Sequence, residues 1–180
     1  MLMRSQFVTD QEIVSGDFSP VHPWYALKVR TRSEPLAAAA LRNRGFEPFC
    51  PTYQERRRYY DRMKAVDNPV FPGYIFCRFD AGKKLPVISS PAVEYIVGIS
   101  GAPYPIPDEQ LEAIRRTVEA GARPTPYVKV GEKVRVEFGA LAGVEGVIVR
   151  TGRRGCFVVS VDLLERSVSL EINEDQVIPV

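Results

Sequence analysis

The stretch Gly121-Ala-Arg-Pro-Thr-Pro126 divides this chain into two parts of different periodicity, and no single fold class accommodates both. Upstream, alternating segments are interspersed with helical stripes. Downstream there is only alternation, punctuated by glycine. The two prolines fix φ and stiffen the connection, as in a linker. A chain of 180 residues has room for one domain or two small ones, at roughly 150 residues per domain. The pattern therefore predicts a polar tail over 1–22, a mixed domain over 23–121, a linker over 122–127 and an all-β domain over 128–180.

In the mixed part, Trp24 to Arg30 (WYALKVR) alternates with Tyr25, Leu27 and Val29 on one face, the mark of a half-buried strand. Ser33 stands where an N-cap is wanted and Glu34 suits a first turn. Leu36, Ala37, Ala40 and Leu41 then make a helical stripe that Gly45 ends. Residues 46–59 read as a strand running into a charged ribbon. Asp67-Asn68-Pro69 marks a turn or loop, and 70–79 (VFPGYIFCRF) is an aromatic strand in which Pro72-Gly73 implies a bulge or an entry kink. A short helix broken around Pro86 is expected within 83–90, and a strand over 93–99. Asp108 caps a second helix with Leu111, Ile114 and Val118 on one face and Gly121 closing it. Lacking regular βαβ alternation, these elements predict an α+β domain, an antiparallel sheet flanked by helices.

Beyond the linker, Val134, Val136 and Phe138 alternate with Lys133, Arg135 and Glu137. Val147 to Val149, a TGRRG turn at 151–155, Cys156 to Val161, and the alternating Val168, Leu170 and Ile172 follow. Short strands joined by glycine turns predict a small β-barrel, whose closure protects its edges.

Several function classes drop out. His22 is the one histidine, so a zinc protease motif is impossible and a Ser–His–Asp triad is not expected. Neither nucleotide-binding glycine fingerprint occurs. Cys50, Cys77 and Cys156 are odd in number, far apart and set among apolar neighbours, so they read as reduced core residues and not as a disulfide set or metal site. No apolar run approaches the roughly 18 residues of a membrane span. The first 20 residues show no signal-peptide pattern. The expectation is a cytoplasmic protein with no cofactor, no metal and no enzymatic chemistry.

The net charge of +2 hides an uneven distribution. Residues 24–64 carry ten Lys/Arg against four Asp/Glu, whereas 65–126 carry six against seven and 127–180 seven against eight. A positive patch confined to one region points to a polyanion contact there. A solvated basic face accounts for the composition equally well.

WYALKVR, the Ala-rich helix, the Phe49-Cys50-Pro51 strand, the Arg/Tyr ribbon and FPGYIF resemble the N-terminal (NGN) domain of the NusG family of transcription elongation factors. GEKVRVEFGALAGVEGVIV at 131–149 resembles the KOW motif of an SH3-like barrel. The resemblance covers about residues 23–180 in the family's domain order. It implies an α+β NGN domain followed by an all-β SH3-like KOW domain, in a monomer.

The resemblance also implies sites. The family grips the clamp helices of the largest RNA polymerase subunit through an apolar pocket. By position Phe71, Pro72, Tyr74 and Ile99 would line it. The displaced DNA strand at the transcription bubble would meet Arg30, Arg32, Arg42 and Arg44. The ribbon of Arg56, Arg57, Arg58, Tyr59, Tyr60, Arg62 and Lys64 would approach DNA at the upstream fork, where interleaved guanidinium and aromatic groups suit single strands. In housekeeping members the barrel meets termination factor Rho or a small-subunit ribosomal protein through a loop Phe and an Ile-Phe-Gly-Arg turn. Here those positions read Val144 and Leu163-Leu164-Glu165-Arg166. Both aromatics are lost while the apolar character and the Arg survive, so Rho is not an expected partner, a small-subunit ribosomal protein stays open as one, and the divergence resembles specialised paralogs of the RfaH and UpxY type.

Three readings stay open on this footing. One is a polymerase-bound elongation or antitermination factor, either a specialised paralog or a general factor coupling transcription to Rho and the ribosome. The second is an RNA-binding or ribosome-associated KOW protein, which would want the positive excess on the barrel, where it is absent. The third is a paired structural module without nucleic acid, against which the local excess argues.

Overall fold

The computed structural model describes residues 22–60, 62–128, 131–151 and 154–180. The polar tail expected over 1–22 lies outside them except for its last residue. The elements in chain order are β1 (Trp24–Val29), α1 (Glu34–Asn43), β2 (Glu47–Phe49), β3 (Thr52–Tyr59), β4 (Arg62–Pro69), β5 (Tyr74–Arg78), α2 (Leu85–Ile88), β6 (Val93–Ile96), β7 (Gly98–Ile99), β8 (Ala102–Pro103) and α3 (Asp108–Glu119). After these come β9 (Arg123–Thr125), β10 (Glu132–Val136), β11 (Glu145–Thr151), β12 (Arg154–Val161), β13 (Arg166–Ile172) and β14 (Val177–Pro179).

A central antiparallel sheet runs β2-β5-β1-β6. Both faces of β1 are buried, which differs from the half-buried strand its alternation predicts. Tyr25, Leu27 and Val29 pack with Ala37 and Leu41 of α1, with Ile75 and Cys77 of β5, and with Phe79 and Val87. On the other face Trp24 and Ala26 join Phe76, Ile106, and Leu111 and Ile114 of α3. The sheet is thus a middle layer between two helices, as an amphipathic helix on each face requires. An ion pair from Arg78 to Asp108 (2.6 Å) holds the start of α3 beside the sheet, and the same guanidinium lies 4.8 Å from the Trp24 ring centroid.

The helix expectations are met in position and corrected in detail. α1 buries Glu34, Ala37, Ala38 and Leu41 and leaves Leu36 exposed, so its inward stripe is rotated from the predicted one. Ser33 is the N-cap residue without a side-chain capping bond. Pro107, not Asp108, caps α3, because Asp108 is already helical and is engaged by Arg78. α2 carries its proline, Pro86, as the second residue of the first turn, where the missing N–H costs nothing, and is not broken by it. The strand expected over 93–99 divides into β6 and β7, and that over 46–59 into β2 and β3.

Cys77 is fully buried and its thiol pKa is pushed up to about 12, by burial first and then by the Glu47 carboxylate. Burial, followed by Glu34, raises Cys50 to about 11. Both thiols are therefore poor nucleophiles in the folded state, as expected of core cysteines.

The C-terminal part is all-β, a six-stranded antiparallel sheet in the order β14-β10-β11-β12-β13-β9. Val134, Val136, Ile148, Phe157, Val159, Val161, Val168 and Ile172 fill its interior. Residues 123–125, expected in a linker, form β9 and pair with β13 in the register Val168↔Pro124. Proline is tolerated there because β9 is an edge strand.

This sheet sits against α3. Gln110 Nε2 donates to the Ser160 carbonyl (3.0 Å), and Arg116 Nη2 donates to the carbonyls of Ala140 (2.7 Å) and Ala142 (2.9 Å). Arg123 of β9 donates to the Gln54 carbonyl and stacks over the Tyr53 ring. The Arg116 bonds are charge-assisted but partly solvated. Arg116→Ala is expected to weaken the docking by about 1–2 kcal/mol. Faster amide exchange in 139–144, with β1 and β5 unchanged, is the outcome that checks it.

Candidate protein and nucleic-acid interface

Pro72 and Gly73 form a tight turn that delivers the chain into β5. Gly73 has φ +82, a left-handed conformation that glycine adopts without strain. A Cβ there would also lie 2.5 Å from Lys28 Nζ. The turn is held from both sides. Glu34 Oε1 accepts the Gly73 N–H at 2.6 Å, and the Gly73 carbonyl accepts the Val29 N–H at 3.0 Å. Glu34 is only 1% exposed, and its second oxygen has no hydrogen-bond partner among the described residues. A buried carboxylate at the first turn of α1 is therefore devoted to one backbone N–H of this turn.

The turn sorts the predicted apolar residues. Phe71 is 1% exposed and packs edge-to-face on Phe76 at 5.5 Å, so it supports the surface from beneath and does not line it. Pro72 is exposed and Tyr74 half-buried. Across the sheet Lys28 lies opposite both Tyr74 and Tyr95, and its ammonium sits 4.7 Å from the Tyr74 ring centroid. Ile99, on the β7–β8 hairpin that follows β6, is 54% exposed, and Tyr95 and Tyr104 are exposed as well. Sequence reasoning missed Lys28, Tyr95, Tyr104 and Glu34. The alternation of β1 already placed Lys28 opposite the Tyr25 face, but nothing local says that Tyr95 is its neighbour.

The basic residues also divide. Arg30, Arg32 and Arg42 are exposed at one end of β1 and on α1. Arg44 donates to the Pro86 carbonyl (2.7 Å) and to Ser89 Oγ (3.0 Å), so it ties the end of α1 to α2. β3 and β4 form a two-stranded ribbon separate from the central sheet. Arg58 lies opposite Met63 and Arg56 opposite Ala65, which puts both arginines on one face. Arg62 and Lys64 belong to the other face. Tyr60 is fully exposed at the tip with φ +43. The side chains of Arg57 and Tyr59 lie outside the described residues.

In the C-terminal sheet Val144 is 4% exposed beside α3, Leu164 is buried, Leu163 half-buried and Arg166 exposed. Glu165 is exposed with φ +48, a left-handed conformation in which a glycine would be unstrained.

Comparison with known proteins places this arrangement. A family model described as transcription termination factor NusG matches residues 22–115, just over half of the chain. The transcription termination/antitermination protein NusG of Campylobacter jejuni is 26% identical over 170 residues, covering 87% of this chain and 96% of that one. The protein of the same name from Escherichia coli strain K12 is 28% identical over 176 residues, covering 88% and 97%. A solved structure described as domain interaction in Thermotoga maritima NusG shares the fold, with a TM-score of 0.52, 19% identity, and coverage of 88% and 97%. No described helix is long and apolar enough to cross a membrane. The chain belongs to the NusG family and is a transcription factor of elongation and termination, not an enzyme.

Proposed function

We propose that this protein rides on RNA polymerase as an elongation or antitermination factor, and that it acts by binding alone. Its N-terminal domain grips the clamp helices of the largest subunit through Pro72, Tyr74 and Ile99, with Phe71 packed beneath them. Arg30, Arg32, Arg42 and the β3–β4 ribbon meet DNA at the bubble. Bridging clamp and DNA disfavours an open, paused polymerase, by no more than the difference in affinity for the two states. The observation that carries this reading is the exposure of Pro72, Tyr95, Ile99 and Tyr104, with Tyr74 half-buried beside Lys28, on the same domain as the exposed cations Arg30, Arg32 and Arg42. Aromatic anchors of this kind dominate binding energy once a partner desolvates them.

Tyr74→Ala tests the reading in a pull-down of core polymerase with the full chain. The substitution is expected to cost about 2 kcal/mol, close to 30-fold in affinity. A folded Tyr74→Ala protein with undiminished affinity removes this face from the contact.

The C-terminal sheet fits a KOW domain that does not serve Rho, and this supports a specialised paralog. Val144 is buried beside α3 and lacks the area of an aromatic, and the exposed Glu165 adds a charge that a close partner must desolvate or avoid. Rho-dependent termination in a transcription assay is expected to be unchanged or reduced on adding the protein. Termination advanced upstream would instead mark a general factor.

A further inference from the structure

Lys28 is a lone cation set in a row of aromatic residues. Strand register aligns Tyr74 of β5, Lys28 of β1 and Tyr95 of β6 across the central sheet, and residues directly opposite one another share a face. Further along that face of β1, Trp24 and Ala26 pack with α3. Lys28 is only half-buried and Tyr95 is 52% exposed, so this end of the face is left uncovered.

Neighbours fix the place of the ammonium. It lies 4.7 Å from the Tyr74 ring centroid, in space that a side chain on Gly73 would take, 2.5 Å from the position of a Cβ there. Lys28 makes no ion pair and no side-chain hydrogen bond among the described residues. Its three N–H donors are left to solvent.

We propose that Lys28 determines the specificity of the polymerase contact, and that the helix seated on Tyr74 and Tyr95 carries an aspartate or glutamate whose carboxylate meets this ammonium. This rests on the clamp contact proposed above and names the chemistry of what is gripped. A partner that covers Tyr74 strips water from the ammonium beside it. The ring's π face returns part of that loss, but a desolvated charge needs an opposite charge. The body of a helix has no spare backbone acceptor, because each carbonyl already takes the N–H four residues on. The acceptor must come from a side chain, and a carboxylate supplies acceptor and charge together. An aliphatic side chain at that place leaves the ammonium bare, and a basic one repels it. Lys28 thereby turns an apolar grip with little direction of its own into a choice of partner and register. Phosphate is the other anion to consider. The fully exposed Arg30 and Arg32 suit a DNA backbone, whereas Lys28 is recessed against a ring.

The test measures binding of the full chain to core polymerase and, separately, to a bubble-containing DNA, for wild type, Lys28→Met, Lys28→Glu and Tyr74→Ala. Methionine keeps an unbranched stem and removes the charge, and unchanged circular dichroism verifies that each variant folds. Lys28→Met is expected to weaken polymerase binding about 30-fold or more, as loss of one partner of a desolvated charge pair does. Lys28→Glu is expected to weaken it further. Polymerase with its clamp-helix acids changed to Lys one at a time is expected to show one position that weakens wild-type binding and restores binding of Lys28→Glu. Lys28→Met that binds polymerase like wild type, while Tyr74→Ala loses affinity, overturns the proposal and leaves the clamp contact standing. A Lys28→Met loss with no restoring position also overturns it, and marks Lys28 as a prop for Tyr74. A loss confined to DNA overturns it in favour of a phosphate contact. Polymerase binding that ignores both Lys28 and Tyr74 removes the clamp contact itself.

Discussion

Phe71→Ala is expected to destabilise the protein by about 3–5 kcal/mol, the range for emptying a buried aromatic site. The ring is 1% exposed and meets Phe76 edge-to-face, so the substitution leaves a cavity under the Pro72-Gly73 turn. Against a total stability of roughly 5–15 kcal/mol this is a large fraction. Any loss of polymerase affinity in this variant then follows from the damaged support. Phe71→Leu keeps most of the volume and is expected to bind nearly normally. Urea denaturation and the polymerase pull-down, run on both variants, decide the matter. A Phe71→Ala protein as stable as wild type but deficient in binding would show that the ring is itself a contact.

Glu34→Ala is expected to lower both stability and polymerase affinity. It removes the acceptor of the Gly73 N–H, and a buried donor left without a partner costs about 1–3 kcal/mol. It also frees one of the bonds that hold the turn presenting Tyr74, leaving those from the Val29 N–H to the Gly73 carbonyl and from the Tyr74 N–H to the Phe71 carbonyl. Glu34→Gln separates acceptor from charge. Its Oε1 can still take the Gly73 N–H, and the amide puts no charge where the carboxylate's second oxygen is unpartnered. The glutamine variant is expected to keep the turn and most of the affinity. Should it behave like alanine in denaturation and pull-down alike, the carboxylate's charge, and not its acceptor, is what holds the turn.

How much of this was readable along the chain follows from the range of the forces involved. Tyr25, Leu27 and Val29 could be assigned to one core face from alternation alone, because the side-chain period of a strand is local. The ribbon's outer half was readable for a similar reason: a hairpin end whose described residues are exposed carries its character in its own residues. The glycine-punctuated alternation beyond Pro126 likewise pointed to an all-β unit, since β-branched runs with glycine turns suit no long helix.

Other features depended on elements distant in sequence. Burial of Trp24 and Ala26 is imposed by α3, more than eighty residues on, and no pattern within β1 announces it. The inward face of α1 is set by the sheet it meets, which is why Leu36 is left in water and Ala38 is not. Pro124 reads as linker by composition, yet the free edge of β13 gives its neighbours hydrogen-bond partners. Glu34 shows the difference most clearly. By position it is an acid suited to a helix's first turn, where solvent exposure is the rule. Its burial is settled by Gly73, whose N–H faces a place that water does not reach and so needs an acceptor from elsewhere in the chain. Local sequence sets backbone preference and hydrophobic period, and which surfaces are covered depends on the assembled layers, because burial is a property of neighbours that only folding brings together.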